Sequence, residues 1–330
     1  MELFHELPTR EAKDAGSVVT IGSFDGVHAG HQRLVRRVRA IAERRGLVAV
    51  AVTFDPHPRS VVDPSGCPPL LSTLSERVDL LGRAGAERVI VLAFTPELRT
   101  WSADRFAAAL VERLGMRQLV VGPGFALGRG REGDITFLRA LGRRRGFTVT
   151  SVAPARRGGE PVSSGRIRAA IANAKFSDAI AMLGRPYVLE GRVERGEGRG
   201  AGLGVPTANL AIDPARCIPA PGVYAGWLDF GDGWRPAATG IGTRPTFGGG
   251  SITVEAHVLD FAGDLYERSV RLALIRRLRP ERAFASIAAL KDAMGRDIAR
   301  TRKVVERFPA PVATFAKRRA SPAASRPRPA

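Results

Sequence analysis

The sequence predicts an α/β unit, a parallel sheet with helices on both faces, followed by a small antiparallel β-barrel with a C-terminal helix. Three observations carry this expectation. Up to about residue 155, five apolar runs rich in valine and isoleucine alternate with stretches of helical periodicity. Beyond about Arg185, short strand-like runs follow one another with only glycine, proline and aspartate turns between them. At 330 residues the chain is also long enough for two domains.

The first runs are SVVTIGSF, LVAVAVTF, ERVIVLAF, RQLVVGPGF and GFTVTSVAP. They are near-continuous rather than alternating, as strands buried on both faces must be. Between the first two, HQRLVRRVRAIAERRG sets Leu34, Val35, Val38, Ile41 and Ala42 on one face at helical spacing, and Gly46 is a natural stop. Residues 75–84 and 103–114 repeat that pattern. Repeated strand–helix–strand units imply a parallel sheet, and such sheets bind ligands beyond the carboxyl ends of their strands.

The later runs are YVLEGRVERG, GVYAGWLDF, WRPAATGIG, SITVEAHVLDF and SVRLALIRRL. Their spacing suggests a small barrel, with no helix until about Arg282. AFASIAALKDAMGRDIARTRKVVERF then reads as one or two closing helices. The tail PAPVATFAKRRASPAASRPRPA has no apolar period and is expected to be disordered. The expected divisions are residues 1–184, 185–308 and a basic tail, 309–330.

The formal net charge of +19 attracts polyanions. The arginines are spread along the chain on polar helix faces, and no aromatics interleave with them as a stacking platform requires. Small polyphosphates are therefore expected rather than nucleic acid. Cys67 and Cys217 are the only cysteines and lie far apart, which argues against a disulfide framework and fits a reducing compartment. No apolar run approaches the roughly 18 residues of a membrane span, and MELFHELPTREAKDAG has no apolar signal core. A cytoplasmic protein without a membrane partner is expected, its oligomeric state open.

Chemistry concentrates in two stretches. SFDGVHAGH, residues 23–31, puts His28 and His31 in a strand-to-helix turn. Two such histidines could hold a metal, hold a phosphate or decorate a loop. The helix N-terminus offers unpaired N–H groups, Gly26 and Gly30 let an anion approach the backbone, and imidazoles can donate to phosphate oxygens. Zinc would need a third ligand that the flanking sequence does not supply. The second stretch, GEGRGAGLGVPTANL at residues 196–210, ends with Thr207 and Asn209 two apart. On an extended strand their oxygens share one side and can ligate Mg²⁺ already carried by phosphates.

GSFDGVHAGHQ, TFDPHP, GFALGRGREGD and SSGRIRAAI, in this order, resemble the signatures of the Rossmann-like nucleotidyltransferases. The form is that of the FAD synthetase module in bifunctional bacterial riboflavin kinase/FMN adenylyltransferases. The glycine-rich stretch with PTANL, then PGVYAG, IGTRPTF, VEAHVLDF and LRPERAF, resembles the riboflavin kinase module. Together the two resemblances cover nearly the whole chain except the tail. They imply phosphorylation of riboflavin to FMN and adenylylation of FMN to FAD, with ATP as co-substrate and Mg²⁺ as cofactor.

The resemblance implies roles residue by residue. His28 and His31 would stabilise charge in adenylyl transfer. Gly22, Phe24, Gly26, Gly30, Ser163, Ser164 and Arg168 would surround the ATP phosphates, the serines at a helix N-cap and Arg168 as a clamp. His57 would meet the flavin, although a histidine between two prolines equally suits a rigid surface loop. Gly200 and Gly204 would approach ATP in the kinase module, Thr207 and Asn209 would hold Mg²⁺, and Glu255 would be the base. Arg279 would contact the flavin, and Asp260 is a weaker candidate.

Four positions depart from the family pattern toward small residues. Gly124 stands for Asp or Asn, Gly165 for Thr, Ala201 for Arg and Gly240 for Asn. Each loses hydrogen-bonding capacity at an expected ligand site. Two alternatives follow: a paralogue acting on a flavin analogue or another nucleotide, and a non-catalytic flavin- or RNA-binding regulator.

Overall fold

A computed structural model of the chain describes residues 1–9, 15–196, 199–202, 204–244 and 251–311. The first half is a six-stranded parallel sheet of β1 (Glu2–Phe4), β2 (Ser17–Ile21), β3 (Val48–Asp55), β4 (Arg88–Ala93), β5 (Met116–Val121) and β6 (Thr148–Ser151). Their spatial order is β1-β4-β3-β2-β5-β6. The order reverses between β2 and β5, and a ligand crevice opens at such a switch point.

Two apolar layers cover this sheet. On one face α1 (Ala29–Arg45) and α2 (Leu74–Arg83) pack against Val18, Ala49 and Val89. On the other, α3 (Ala103–Leu114) and α4 (Ile135–Arg145) pack against Val19, Val50 and Ile90. Neighbouring valines of one strand thus serve opposite faces, which is why the runs are continuous. The buried face of α1 consists of the five residues that its periodicity singles out. Each contributes up to roughly 1.5–3 kcal/mol by burial, the alanine less. Gly46, with φ at 61°, closes the helix by donating its amide to the carbonyl of Ala42.

Two further helices, α5 (Ser164–Ala172) and α6 (Phe176–Leu183), lead into a closed antiparallel barrel. Its strands are β7 (Tyr187–Glu194), β8 (Ala208–Ile212), β9 (Gly222–Asp229), β10 (Trp234–Arg244), β11 (Ser251–Val258) and β12 (Ser269–Pro280). They close in the order β7-β8-β11-β10-β9-β12. Ile167, Ile171 and Phe176 share one core with Tyr187, Leu210 and Tyr224, so the helical layer and the barrel are packed together. One helix, α7 (Ile287–Arg307), capped by Ser286, then lies against β9.

The structure differs from expectation in a few elements. β1 is a three-residue edge strand, too short and too charged for a period, fixed by pairing with β4 and by the Arg88–Glu2 ion pair at 2.6 Å. Both α4 and α6 were unforeseen. A four-residue helix at Arg199–Gly202 interrupts the all-strand segment before Arg282. There the Val205 amide donates to the Gly200 carbonyl at 2.9 Å and turns the chain back. Motif residues 197, 198, 203 and 245–247, and the tail from 312 onward, lie outside the described residues. Among the described residues no helix is long and apolar enough to cross a membrane.

Candidate functional sites

β2 ends at Ile21, and the next seven residues turn to α1 above the switch point. Phe24 and Val27 take left-handed backbone angles, φ 48° and 36°, although neither is glycine. Both are buried, and their surroundings hold them in this strained conformation. Gly26, at φ 78°, needs its missing side chain: a Cβ there would stand 3.0 Å from Leu71. Gly22 lies under the Phe24 ring, and Gly30 lies beside the His28 ring.

His28 is the N-cap of α1, its Nδ1 accepting the His31 amide at 3.4 Å. The two imidazoles stack with centroids 3.6 Å apart, and Phe24 meets His31 edge-on at 5.2 Å. Burial lowers the His28 pKa to about 4 and holds His31 well below its ordinary value. Both rings are therefore neutral at pH 7, and His28, accepting at Nδ1, carries its proton on Nε2. Nitrogen lone pairs lie in the ring plane, so rings stacked this closely aim into parallel planes and do not converge on one ion. The pair suits phosphate oxygens better than a metal.

Asp25 is the organising residue that the sequence reading did not single out. Its side chain is 1% exposed and accepts amides from Leu71 and Ser72 at 3.0 Å. Arg168 pairs with it at 2.6 Å and also donates to the Pro69 carbonyl at 2.6 Å. Ser164 donates to the Asp25 carbonyl at 3.0 Å, and Ser163 caps α5 by accepting the Arg166 amide. The start of α5 is thereby tied to the histidine turn. Arg168 is held in place by Asp25 and the Pro69 carbonyl.

A cavity of about 810 Å³ opens beside this turn, lined by Gly22, Phe54, His57, Phe94, Phe106 and Phe125 among others. His57 caps the short helix Pro58–Val62 and also faces this cavity. Burial lowers its pKa. Arg129 and Arg131, from the turn joining the Ala126–Leu127 and Gly133–Asp134 ribbon, line the same space. An aromatic chamber edged by arginines suits a flat, anionic ligand.

The barrel site is built differently. Asn209 of β8 lies directly opposite Glu255 of β11, and Gly240 of β10 lies opposite Glu255 on its other side. Val254, Ala256 and Ile241 belong to the core, so by alternation Glu255 and Gly240 face outward. Directly paired residues carry Cβ atoms about 5 Å apart, so the amide and the carboxylate share a neighbourhood. Thr207 just precedes β8 and lines a cavity of about 410 Å³ with Val258, Phe261 and Tyr266. A Cβ on Gly200 would stand 3.0 Å from the Thr207 hydroxyl, and one on Gly196 would collide with the Asn209 amide. Gly204 has φ at 78°.

Arg279 donates to Asp297 of α7 at 2.9 Å and lies over Phe284. Asp260 accepts from both terminal guanidinium nitrogens of Arg302. Among the departures, Gly124 has open space where a side chain would stand, Gly165 has only the Ser163 hydroxyl at 4.0 Å, and Gly240 has only the Glu255 carbonyl at 3.9 Å.

Comparison with known proteins accounts for both constellations. The FAD synthetase family model matches residues 10–166, and the riboflavin kinase model matches residues 183–305. A bifunctional riboflavin kinase/FMN adenylyltransferase from Pseudomonas fluorescens is 41% identical over 305 residues, spanning 92% of this chain and 97% of that protein. The chain belongs to the bifunctional riboflavin kinase/FMN adenylyltransferase family. The Escherichia coli K12 member is 36% identical over 289 residues, 87% of this chain and 92% of that protein. A crystal structure described as a macrolide-efflux protein from Streptococcus pneumoniae has a TM-score of 0.84 at 28% identity, covering 92% of this chain and 99% of that one.

In this member of the family the His28–His31 turn, Ser164 and Arg168 come together around Asp25, and Asn209 is paired with Glu255 on neighbouring barrel strands. Arg279, by contrast, is engaged with α7. Besides Asp25, the sequence reading missed Arg77, which is 1% exposed and donates to the Phe54 carbonyl at 2.7 Å. An arginine on the buried face of an amphipathic helix was the available signal, in LSERVDLL.

Proposed function

We propose that this chain phosphorylates riboflavin to FMN on its barrel and adenylylates FMN to FAD on its parallel-sheet domain, both with ATP. The full-length relationship to bifunctional enzymes carries the reading, because it spans both constellations in one chain. Residues 1–184 would perform adenylyl transfer and residues 185–308 phosphorylation.

In adenylyl transfer the FMN phosphate attacks the α-phosphorus of ATP and pyrophosphate leaves. That nucleophile is already ionised at neutral pH, so no general base is needed. His28 and His31 act as neutral donors to the phosphate oxygens, with the N-terminal amides of α1 and α5. Gly22, Phe24, Gly26 and Gly30 shape the backbone around them. Asp25 orients Arg168 towards the phosphates. The phenylalanine-lined cavity, with His57 at its edge, takes the isoalloxazine.

Riboflavin instead offers a neutral hydroxyl. Glu255 accepts its proton as the γ-phosphoryl group arrives. The Thr207 hydroxyl and the Asn209 amide oxygen are hard donors that fit Mg²⁺, and glycines at 196 and 200 keep side chains out of their way. Mg²⁺ held there would supply neutralisation of charge on the transferring phosphoryl group. Gly200 and Gly204 let the triphosphate approach the backbone, and Arg279 borders the flavin side.

Two unbonded cysteines support a cytoplasmic enzyme, and the dispersed arginines favour small polyphosphates over nucleic acid as partners. The test is incubation of the purified chain with riboflavin, ATP and Mg²⁺, with flavins resolved by chromatography. FAD is the expected end product. FMN alone would remove the adenylyltransferase half, and no product from the folded protein would favour the paralogue or the regulator.

A further inference from the structure

We infer that Arg216, carried by the barrel, is a positioning residue for the adenylyl-transfer turn of the other domain. The inference rests on the adenylyl-transfer reading above. Arg216 lies in the connection between β8 and β9 and is 2% exposed. Its Nη2 donates to the Leu71 carbonyl at 3.2 Å and to the Val188 carbonyl at 2.9 Å. Its Nη1 is 3.0 Å from the Glu76 carboxylate, and the same Glu76 oxygen accepts the Thr73 amide at 2.6 Å. Beside it, the Leu70 amide donates to the Ala215 carbonyl at 2.7 Å, and the Cys217 amide donates to the Leu70 carbonyl at 2.9 Å. The barrel thus grips residues 70–73 of the sheet domain from several directions.

That segment is the seat of the histidine turn. The amides of Leu71 and Ser72 hold the Asp25 carboxylate, and the Ser72 hydroxyl accepts the Gly26 amide at 2.9 Å. The Leu71 side chain packs where a Cβ on Gly26 would stand. Asp25 in turn carries Arg168, and its carbonyl accepts the Ser164 hydroxyl. A half-buried arginine, Arg185 in the connection between domains, also donates to the Gly26 carbonyl at 2.9 Å. The path from Arg216 therefore reaches Asp25 and Gly26 through residues 71 and 72, and His28 follows two residues after Gly26 in the same turn.

Adhesion alone does not account for this arrangement. Ile167, Phe176, Leu189 and Leu210 already supply an apolar interface around it. A buried ion pair adds little net stability over apolar packing, but it fixes geometry. Displacing a phosphate-binding group by about 1 Å can cost up to roughly a hundredfold in rate. None of the Arg216 contacts above reaches Thr207, Asn209 or Glu255, so riboflavin phosphorylation by the same chain reports that the barrel is intact.

The experiment compares full-length wild type with Arg216→Met, Arg216→Lys and the double variant Glu76→Gln/Arg216→Met. The double variant removes the buried carboxylate that Arg216→Met would leave alone, and glutamine preserves the cap of α2. FMN-to-FAD and riboflavin-to-FMN conversion are measured separately. The expected result is a roughly tenfold to hundredfold fall in adenylylation kcat/KM, with the KM for ATP raised, while phosphorylation changes less than about twofold. Lysine recovers part of the loss, since one ammonium cannot span the same acceptors. Partial unfolding would lower apparent kcat without moving KM. Unchanged adenylylation in the double variant, or equal loss of both activities, overturns the inference. Absence of FAD from the wild type would instead overturn the reading on which it rests.

Discussion

The two candidate sites present their polar groups in different ways. At the sheet site His28 is buried and His31 half-buried, and the two rings are stacked and neutral in a turn that Asp25 anchors. At the barrel site Asn209 and Glu255 sit on the outer face, and backbone at Gly196 and Gly200 crosses beside Asn209 and Thr207. The chemistry proposed for each site matches this difference. An ionised phosphate nucleophile needs charge stabilisation, for which rigid neutral donors suffice. A neutral hydroxyl needs a proton acceptor within reach, and a half-exposed carboxylate on an outer strand face is open to the substrate.

The largest effect expected of a single change is on the base. Glu255→Gln should lower riboflavin phosphorylation by roughly 10²–10⁴-fold. Supplied FMN should still become FAD at the wild-type rate, and a phosphorylation rate within twofold of wild type would remove Glu255 from the chemistry. His28→Ala should reverse the pattern. Adenylylation would fall by roughly 10²–10³-fold with phosphorylation intact, measured on the same preparation.

Acid should sharpen the contrast through stability. His28 has a folded pKa of about 4 against an ordinary 6.5, so between these values the unfolded chain binds a proton that the folded chain does not. Its contribution to stability is complete above pH 6.5 and is lost as pH falls towards 4, about 3 kcal/mol in all. His31 acts in the same direction. Glu76, pushed up to about 6 by burial, acts oppositely between 4.5 and 6 and offsets part of the loss. Urea denaturation from pH 7 to 4.5 should show declining stability, and His28→Asn should flatten the decline. The smallest effect concerns the glycine crossing. Gly196→Ala places a methyl group against the Asn209 amide and should raise the kinase KM for ATP by several-fold, with adenylylation unchanged.

Much of this was legible in residue order. Strands of the sheet, the buried face of α1 and its stop at Gly46 follow from apolar period and helix-capping rules, which act over a few residues. His28, His31, Ser164, Thr207, Asn209 and Glu255 could be named because their motifs are compact. Asp25 could not, because its partners Leu71, Ser72 and Arg168 lie 46 to 143 positions away. Glu76 has only the local pattern of a first-turn acid, and Arg216 is one of many scattered arginines, so neither stands out in the sequence.

By itself, then, the sequence determined two unlike domains, their order and the residue types available for phosphate chemistry, since periodicity, capping and turn formation are local. Only the tertiary structure decided which side chains are buried and therefore neutral, which arginine reaches which carboxylate, and that the barrel grips the segment beneath the histidine turn. Those properties depend on desolvation and on distances between groups far apart along the chain, and both come into being only when the two domains pack.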